Sequence, residues 1–147
     1  VRRALGAGAL ALTLALVGCA PTARTPGPYA SKAAKAVDSV RSAVRSDLLV
    51  LLALQRRHTL AAYVSVATSE AEDSAASAAS TFLSIQPPDA ASDRMRSRLG
   101  DVFDEASSVL GDVRVAGRRG DRAALLASVA QLRSVAGHLD RTAEAFG

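Results

Sequence analysis

The chain has 147 residues, enough for one domain built on one hydrophobic core. Apolar residues make up 49% of it and aromatic ones only 3%, so the core must come from Ala, Val and Leu, a composition that favours helices. The formal net charge of +4 rests on arginine, and no basic run is interleaved with aromatics, which excludes the signature of a nucleic-acid binder.

The first element is an export segment. Arg2 and Arg3 are followed by Ala4 to Val17, an uncharged apolar stretch too short for the roughly 20 residues of a membrane-spanning helix. Val1 is expected to come from a non-AUG start codon. The stretch ends in Leu16-Val17-Gly18-Cys19, and Cys19 is the only cysteine. Gly18 is small enough for a peptidase to cut beside it. The Cys19 thiolate is the side chain best suited to take up a lipid as a thioether.

Residues 2–19 resemble the signal segment and lipobox of bacterial lipoproteins. The resemblance implies cleavage between Gly18 and Cys19 and a diacylglyceryl group on Cys19. It places the mature chain on the outer face of the cytoplasmic membrane, held stably because two acyl chains insert. The arginine pair lacks the rest of a twin-arginine signal, so Sec export is expected. Without residues 1–18 the chain has 129 residues and 16 basic against 14 acidic side chains, a net charge of about +2. A lipidated Cys19 leaves no disulfide within one chain. The Ala- and Arg-rich remainder is similar to small helical lipoproteins of high-GC actinobacteria, a resemblance that brings no functional residue with it.

Ala20 to Pro28 reads as an extended tether, containing three of the five prolines and reaching at most roughly 30 Å. The expected division is therefore signal peptide 1–18, lipidated cysteine and tether 19–28, and a helical domain 29–147. The other two prolines, Pro87 and Pro88, mark a loop, so every proline is expected outside the helices.

Four helices follow. From Tyr29 to Gln86 there is neither Gly nor Pro, yet one helix of that length would span roughly 85 Å, so the segment must turn. One candidate turn is Arg57-His58-Thr59, with Arg56, Arg57 and His58 complementing a helix C-terminus and Thr59 capping the next start. The other is Ser69, whose Glu72 completes a capping box. A turn near His58 gives helices of matched length and is preferred.

Helix one, about 29–57, repeats Ala33, Val37, Val40, Val44, Leu48 and Leu51, and its apolar run Leu48–Leu54 is expected to be the most buried segment. Helix two, about 60–85, repeats Leu60, Val64, Ala71, Ala75 and Phe82. Helix three, about 89–116, repeats Leu99, Val102, Ala106, Val109 and Val113. Helix four, about 121–146, repeats Leu125, Val129, Leu132, Ala136 and Leu139. Asp89 and Asp121 stand at helix starts, and Gly117 and Gly120 flank the last turn. Alternating spacings of three and four predict an all-α, antiparallel up-down four-helix bundle.

Motifs for chemistry are sparse. No Glu-x-x-His pair supports a di-iron centre, and His58 and His138 read as turn and surface residues. Glu70, Glu72 and Asp73 lack calcium-loop spacing and read as a solvated face. No glycine elbow or phosphate loop is present. No catalytic residue, metal ligand or cofactor site is expected beyond the covalent lipid on Cys19, and the chain reads as a non-enzyme.

Up-down topology gathers Arg56, Arg57, His58, Arg114, Arg118, Arg119 and Arg122 at the end remote from the membrane. That basic cap is the candidate partner surface, suited to an acidic envelope protein or an anionic cell-wall polymer; helix C-termini also attract such arginines. The leading expectation is a membrane-anchored interaction or structural module of the cell envelope. The alternative is a carrier holding a small apolar ligand between helices one and two near Leu48–Leu54 and Phe82. The alanines of helix two also permit close approach of a second copy, so a homodimer is a further expectation.

Overall fold

The computed structural model describes residues 25–146. The lipobox, with Gly18 and Cys19, and most of the tether lie outside the described residues. Four helices and no strand are found among those described: α1 (Pro26–Gln55), α2 (Ala61–Leu83), α3 (Ala90–Arg119) and α4 (Arg122–Glu144).

Each boundary has a local cause. α1 starts after Thr25, which is extended, and Pro26 opens the first turn, where its missing N–H removes no helical hydrogen bond. Pro26 and Pro28 therefore belong to α1 and not to the tether, correcting the expected start at residue 29. At the other end of α1, Arg57 adopts a left-handed conformation with φ 60°. The Arg57 N–H donates to Leu54 O at 3.1 Å and the His58 N–H to Ala53 O at 2.9 Å, closing the helix with a Schellman motif. Gly120, at φ 64°, closes α3 the same way, with its N–H on Gly117 O and that of Asp121 on Ala116 O.

The chain thus turns at His58. Ser69 sits within α2 and donates to Ser65 O at 3.1 Å. Thr59 does not cap α2; Leu60 holds that position without a side-chain hydrogen bond. Asp89 and Asp121 do cap, accepting from the N–H groups of Ser92 (2.7 Å) and Ala124 (3.0 Å). Hydrogen bonding from Ser92 holds the Asp89 carboxyl below its usual range.

α1 packs on α2 and α4, α3 packs on the same two helices, and α1 meets α3 across the diagonal. With short connections this is the antiparallel four-helix bundle. Residue 25, the α2–α3 loop and residue 146 lie at one end, the tether end. The α1–α2 and α3–α4 turns lie at the far end.

The core runs the length of the bundle through Val37, Val44, Leu51, Val64, Leu110, Val113, Leu132 and Leu139. At the tether end, three of the five aromatic residues stack: Tyr29 and Phe82 with ring centroids 5.2 Å apart, Phe82 and Phe103 edge to face at 6.3 Å. The run Leu48–Leu54 is not the most buried segment: Leu51 and Leu54 face the core, but Leu49 is 67% exposed. A single amphipathic helix on one side of a small bundle can bury only one stripe, and Leu49 lies opposite it.

Candidate functional site

Topology places six of the seven predicted basic residues at the far end. Arg56, Arg57 and His58 form the exposed α1–α2 turn, and Arg118 and Arg119 occupy the exposed last turn of α3. Arg122 opens α4 and reaches across to donate to Leu54 O at 2.8 Å, a second hydrogen bond on the carbonyl that already accepts from the Arg57 N–H. Arg114 is the exception. It lies more than a turn below the end of α3 and pairs with Glu72 of α2, at the interface of the two helices.

Beside this basic rim is a feature the hydrophobic repeats did not reveal. Five large apolar side chains are exposed: Leu49 (67%), Leu60 (78%), Tyr63 (59%) and Val66 (57%), and to a lesser degree Val115 of α3 (36%). Leu49, Tyr63 and Val66 belong to the far halves of α1 and α2, and Leu60, expected on the core stripe of helix two, is instead the exposed N-cap of α2 because the helix begins only at Ala61. Val50 and Tyr63 line the same groove, of about 490 Å³, whose floor is made of small residues including Ser46, Ala67 and Ala71. A second groove of about 430 Å³ continues towards the tether end, sharing Ser39 and Ser74 with the first. The sequence signal was available: Leu49 and Val66 fall outside the three-and-four repeats of their helices, on the side away from the core.

Inside the bundle, the core slot between Val44 and Leu51 is filled by Asp47 and not by Leu48. Asp47 is fully buried, and neither carboxylate oxygen has a hydrogen-bond partner. Burial, and secondarily the negative charge of Glu72, push its pKa up to about 7. Glu72 is itself held by Arg114. Nearby on α2, Thr68 is also buried and donates to Ser65 O, while Ser128 of α4 donates to Ala124 O. Gly117 packs against this region, since a β-carbon there would lie 2.8 Å from Thr68 Oγ1. Asp47 thus stands near neutrality in a tightly packed part of the core.

Elsewhere the charged groups form surface pairs. Arg45 reaches Asp140 of α4 at 2.7 Å, and His138 Nδ1 lies 2.8 Å from Glu105. Glu70 and Asp73 are exposed. Among the described residues no three His, Cys, Asp or Glu side chains converge as a metal set, and no helix is long and apolar enough to cross a membrane. In comparisons with known proteins, no family model, curated protein or solved structure matches this chain.

Proposed function

We propose that this chain is a lipid-anchored envelope protein whose helical bundle acts as a non-enzymatic interaction module, engaging its partner through the far end of α1 and α2. The observation that carries this reading is the grouping of Leu49, Leu60, Tyr63 and Val66 beside Arg56, Arg57 and His58. Several exposed large apolar side chains at one end of a small bundle, near exposed basic residues, favour a protein-binding surface over a solvated one. They lie at the end of the bundle opposite residue 25, the point from which the chain leads back to Cys19. A lipid on Cys19 would then hold the tether end at the membrane and present the far end to the envelope.

The interior suits this role. Around Phe82, Tyr29 and Phe103 pack against its ring at 5.2 and 6.3 Å between centroids, leaving the aromatic surface there engaged within the bundle. The grooves on α1 and α2 are surface features suited to another helix.

Two measurements test the proposal together. Metabolic labelling with a clickable fatty acid should mark the chain, and Cys19→Ala should lose both the label and membrane retention. A photo-crosslinking amino acid at Tyr63 should give one discrete adduct in the native host, and the same group at Lys32, near the tether end, should not. A labelled chain with no adduct at Tyr63 would leave the anchor standing and remove the far-end surface.

A further inference from the structure

We propose that Asp47 is a proton-controlled latch on the turn of α1 that builds the α1–α2 face: neutral, it keeps the turn closed, and ionised, it lets the turn open and takes the face apart. The link to a partner rests on the reading above, whereas the latch itself belongs to the bundle alone.

One turn of α1 joins core and face. Asp47 is fully buried, and both of its carboxylate oxygens lack a hydrogen-bond partner. Its neighbours on the same turn look outwards: Ser46 and Val50 line the groove of about 490 Å³, and Leu49 is 67% exposed. The residues one before and three after Asp47 thus form the wall that a partner would touch. Turn 46–50 cannot leave the core without dismantling that wall.

The surroundings of Asp47 decide which charge state the closed turn accepts. Glu72 of α2 acts on it and repels the ionised form. Arg114 of α3, the base beside Glu72, is paired with that carboxylate. α4 carries no titratable side chain between Arg122 and Arg133, and Arg133 is exposed. On α1 itself, Arg45 is exposed and reaches Asp140 at 2.7 Å. These bases are engaged or turned to solvent, so an Asp47 carboxylate inside the bundle has no counter-ion. Burying a neutral carboxyl without a partner is tolerable, whereas an isolated carboxylate costs far more and is relieved only by water.

Opening has a preferred place. Towards the tether end, α1 is held by the packing of Tyr29 on Phe82. Beyond Asp47 the buried residues of α1 are Leu51 and Leu54. The helix then ends at Arg57, whose φ of 60° is strained for a residue with a β-carbon. Ser46 to Leu54 is therefore the part of α1 that yields.

The sign follows from linkage. Burial first, and Glu72 second, raise the Asp47 carboxyl to about 7, from an ordinary value of about 3.9. Between those values the closed turn keeps a proton that the opened turn releases, so opening becomes easier as pH rises to about 7. A partner seated in the groove would hold the turn closed and strengthen proton binding, and by reciprocity a rise in pH would weaken the partner's hold.

Amide hydrogen exchange of the full chain in a mild detergent at pH 6 and pH 8, corrected for the intrinsic pH dependence of exchange, tests the latch without a partner. Protection over residues 48–54 should fall roughly tenfold between the two in the parent, the ratio set by a carboxyl that titrates near 7 when closed and near 4 when open. Residues 33–40 should stay protected at both. Asp47→Asn and Asp47→Leu should each abolish the change, and either variant suffices if the other fails to fold. His58→Gln, which removes the exposed imidazole near the same face, should keep it. In host membranes, the yield of the Tyr63 adduct should fall from pH 6 to pH 8 in the parent and stay level in the Asp47 variants.

Protection indifferent to pH, or equally pH-dependent in the Asp47 variants, would overturn the inference. So would an equal loss along the whole of α1, which is global unfolding, or a Tyr63 adduct whose yield ignores pH. The expected loss over 48–54 with no adduct at any pH would sustain the latch and remove the interaction reading instead.

Discussion

Arg122, the first residue of α4, donates to the main-chain oxygen of Leu54 at 2.8 Å, beside the Arg57 N–H that closes the last turn of α1 on the same oxygen. The contact crosses between two elements 68 residues apart. It ties the two far-end turns together next to the apolar patch. Arg122→Met keeps much of the side-chain bulk and removes the donor. It should destabilise the bundle by about 1–2 kcal/mol, read as a lower urea midpoint at unchanged slope. An unchanged midpoint would show that the Arg57 N–H alone satisfies the Leu54 oxygen.

Asp47 sets a pH dependence. Its carboxyl has an ordinary value of about 3.9 when unfolded and about 7 in the folded chain. Between those values the unfolded chain has lost a proton that the folded chain keeps, so stability falls as pH rises. The contribution is full below about pH 4, declines from there to about pH 7 and is absent above it, a span on the order of 4 kcal/mol. Asp47→Asn should flatten the profile of unfolding free energy across that window and exceed the parent in stability at pH 8. A parent profile as flat as the variant's would mean that the carboxyl finds water.

Gly117 and Thr68 are coupled by shape. Because a β-carbon at 117 would sit 2.8 Å from Thr68 Oγ1, Gly117→Ala forces the buried Thr68 side chain or its helix to shift. The expected loss is about 1–3 kcal/mol. Thr68→Ala in the same chain should recover part of it, with a double-mutant coupling of about 1 kcal/mol. Thermal unfolding of the four chains of the cycle decides this, and strict additivity would place the strain elsewhere.

The two Schellman turns give a natural comparison. Gly120 takes its left-handed φ of 64° without a side chain, whereas Arg57 takes φ 60° against one. Arg57→Gly should therefore stabilise the bundle by up to about 1 kcal/mol, and Gly120→Ala should destabilise it by about the same. If circular dichroism melts show Arg57→Gly lowering the midpoint, the arginine side chain must contribute more to the turn than its backbone strain removes.

These residues also show what a sequence can and cannot disclose. The caps at Asp89 and Asp121 were legible because they depend on local chemistry, whereas the break at His58 was legible from matched helix lengths, its expected Thr59 cap being absent. So were most core positions, since Val37, Val44, Leu51 and Leu132 repeat at helical spacing. Asp47 was not legible for the same reason. A repeat read by hydropathy steps from Val44 to Leu48, the nearest apolar residue, and passes over a polar residue in the true slot. Arg114 resembled a far-end cap because the helix was expected to stop at residue 116; running to Arg119, α3 places Arg114 against Glu72 instead. The apolar patch was concealed by the opposite effect. Leu49 lies in an unbroken apolar run, and only the packing of α1 on α2, α3 and α4 decides which of those residues stays outside.

The stacked rings of Tyr29, Phe82 and Phe103 give the bundle a mechanical polarity. If the proposed anchor on Cys19 is present, tension drawn through the chain enters beside Tyr29, where the aromatic rings pack. The unpaired Asp47 and the strained Arg57 lie towards the opposite end, and opening should begin there. Amide hydrogen exchange along α1 would then grade from slow near Val37 to fast near Leu54, and a pull on the anchor would load the firm end while the partner-facing end stayed pliable.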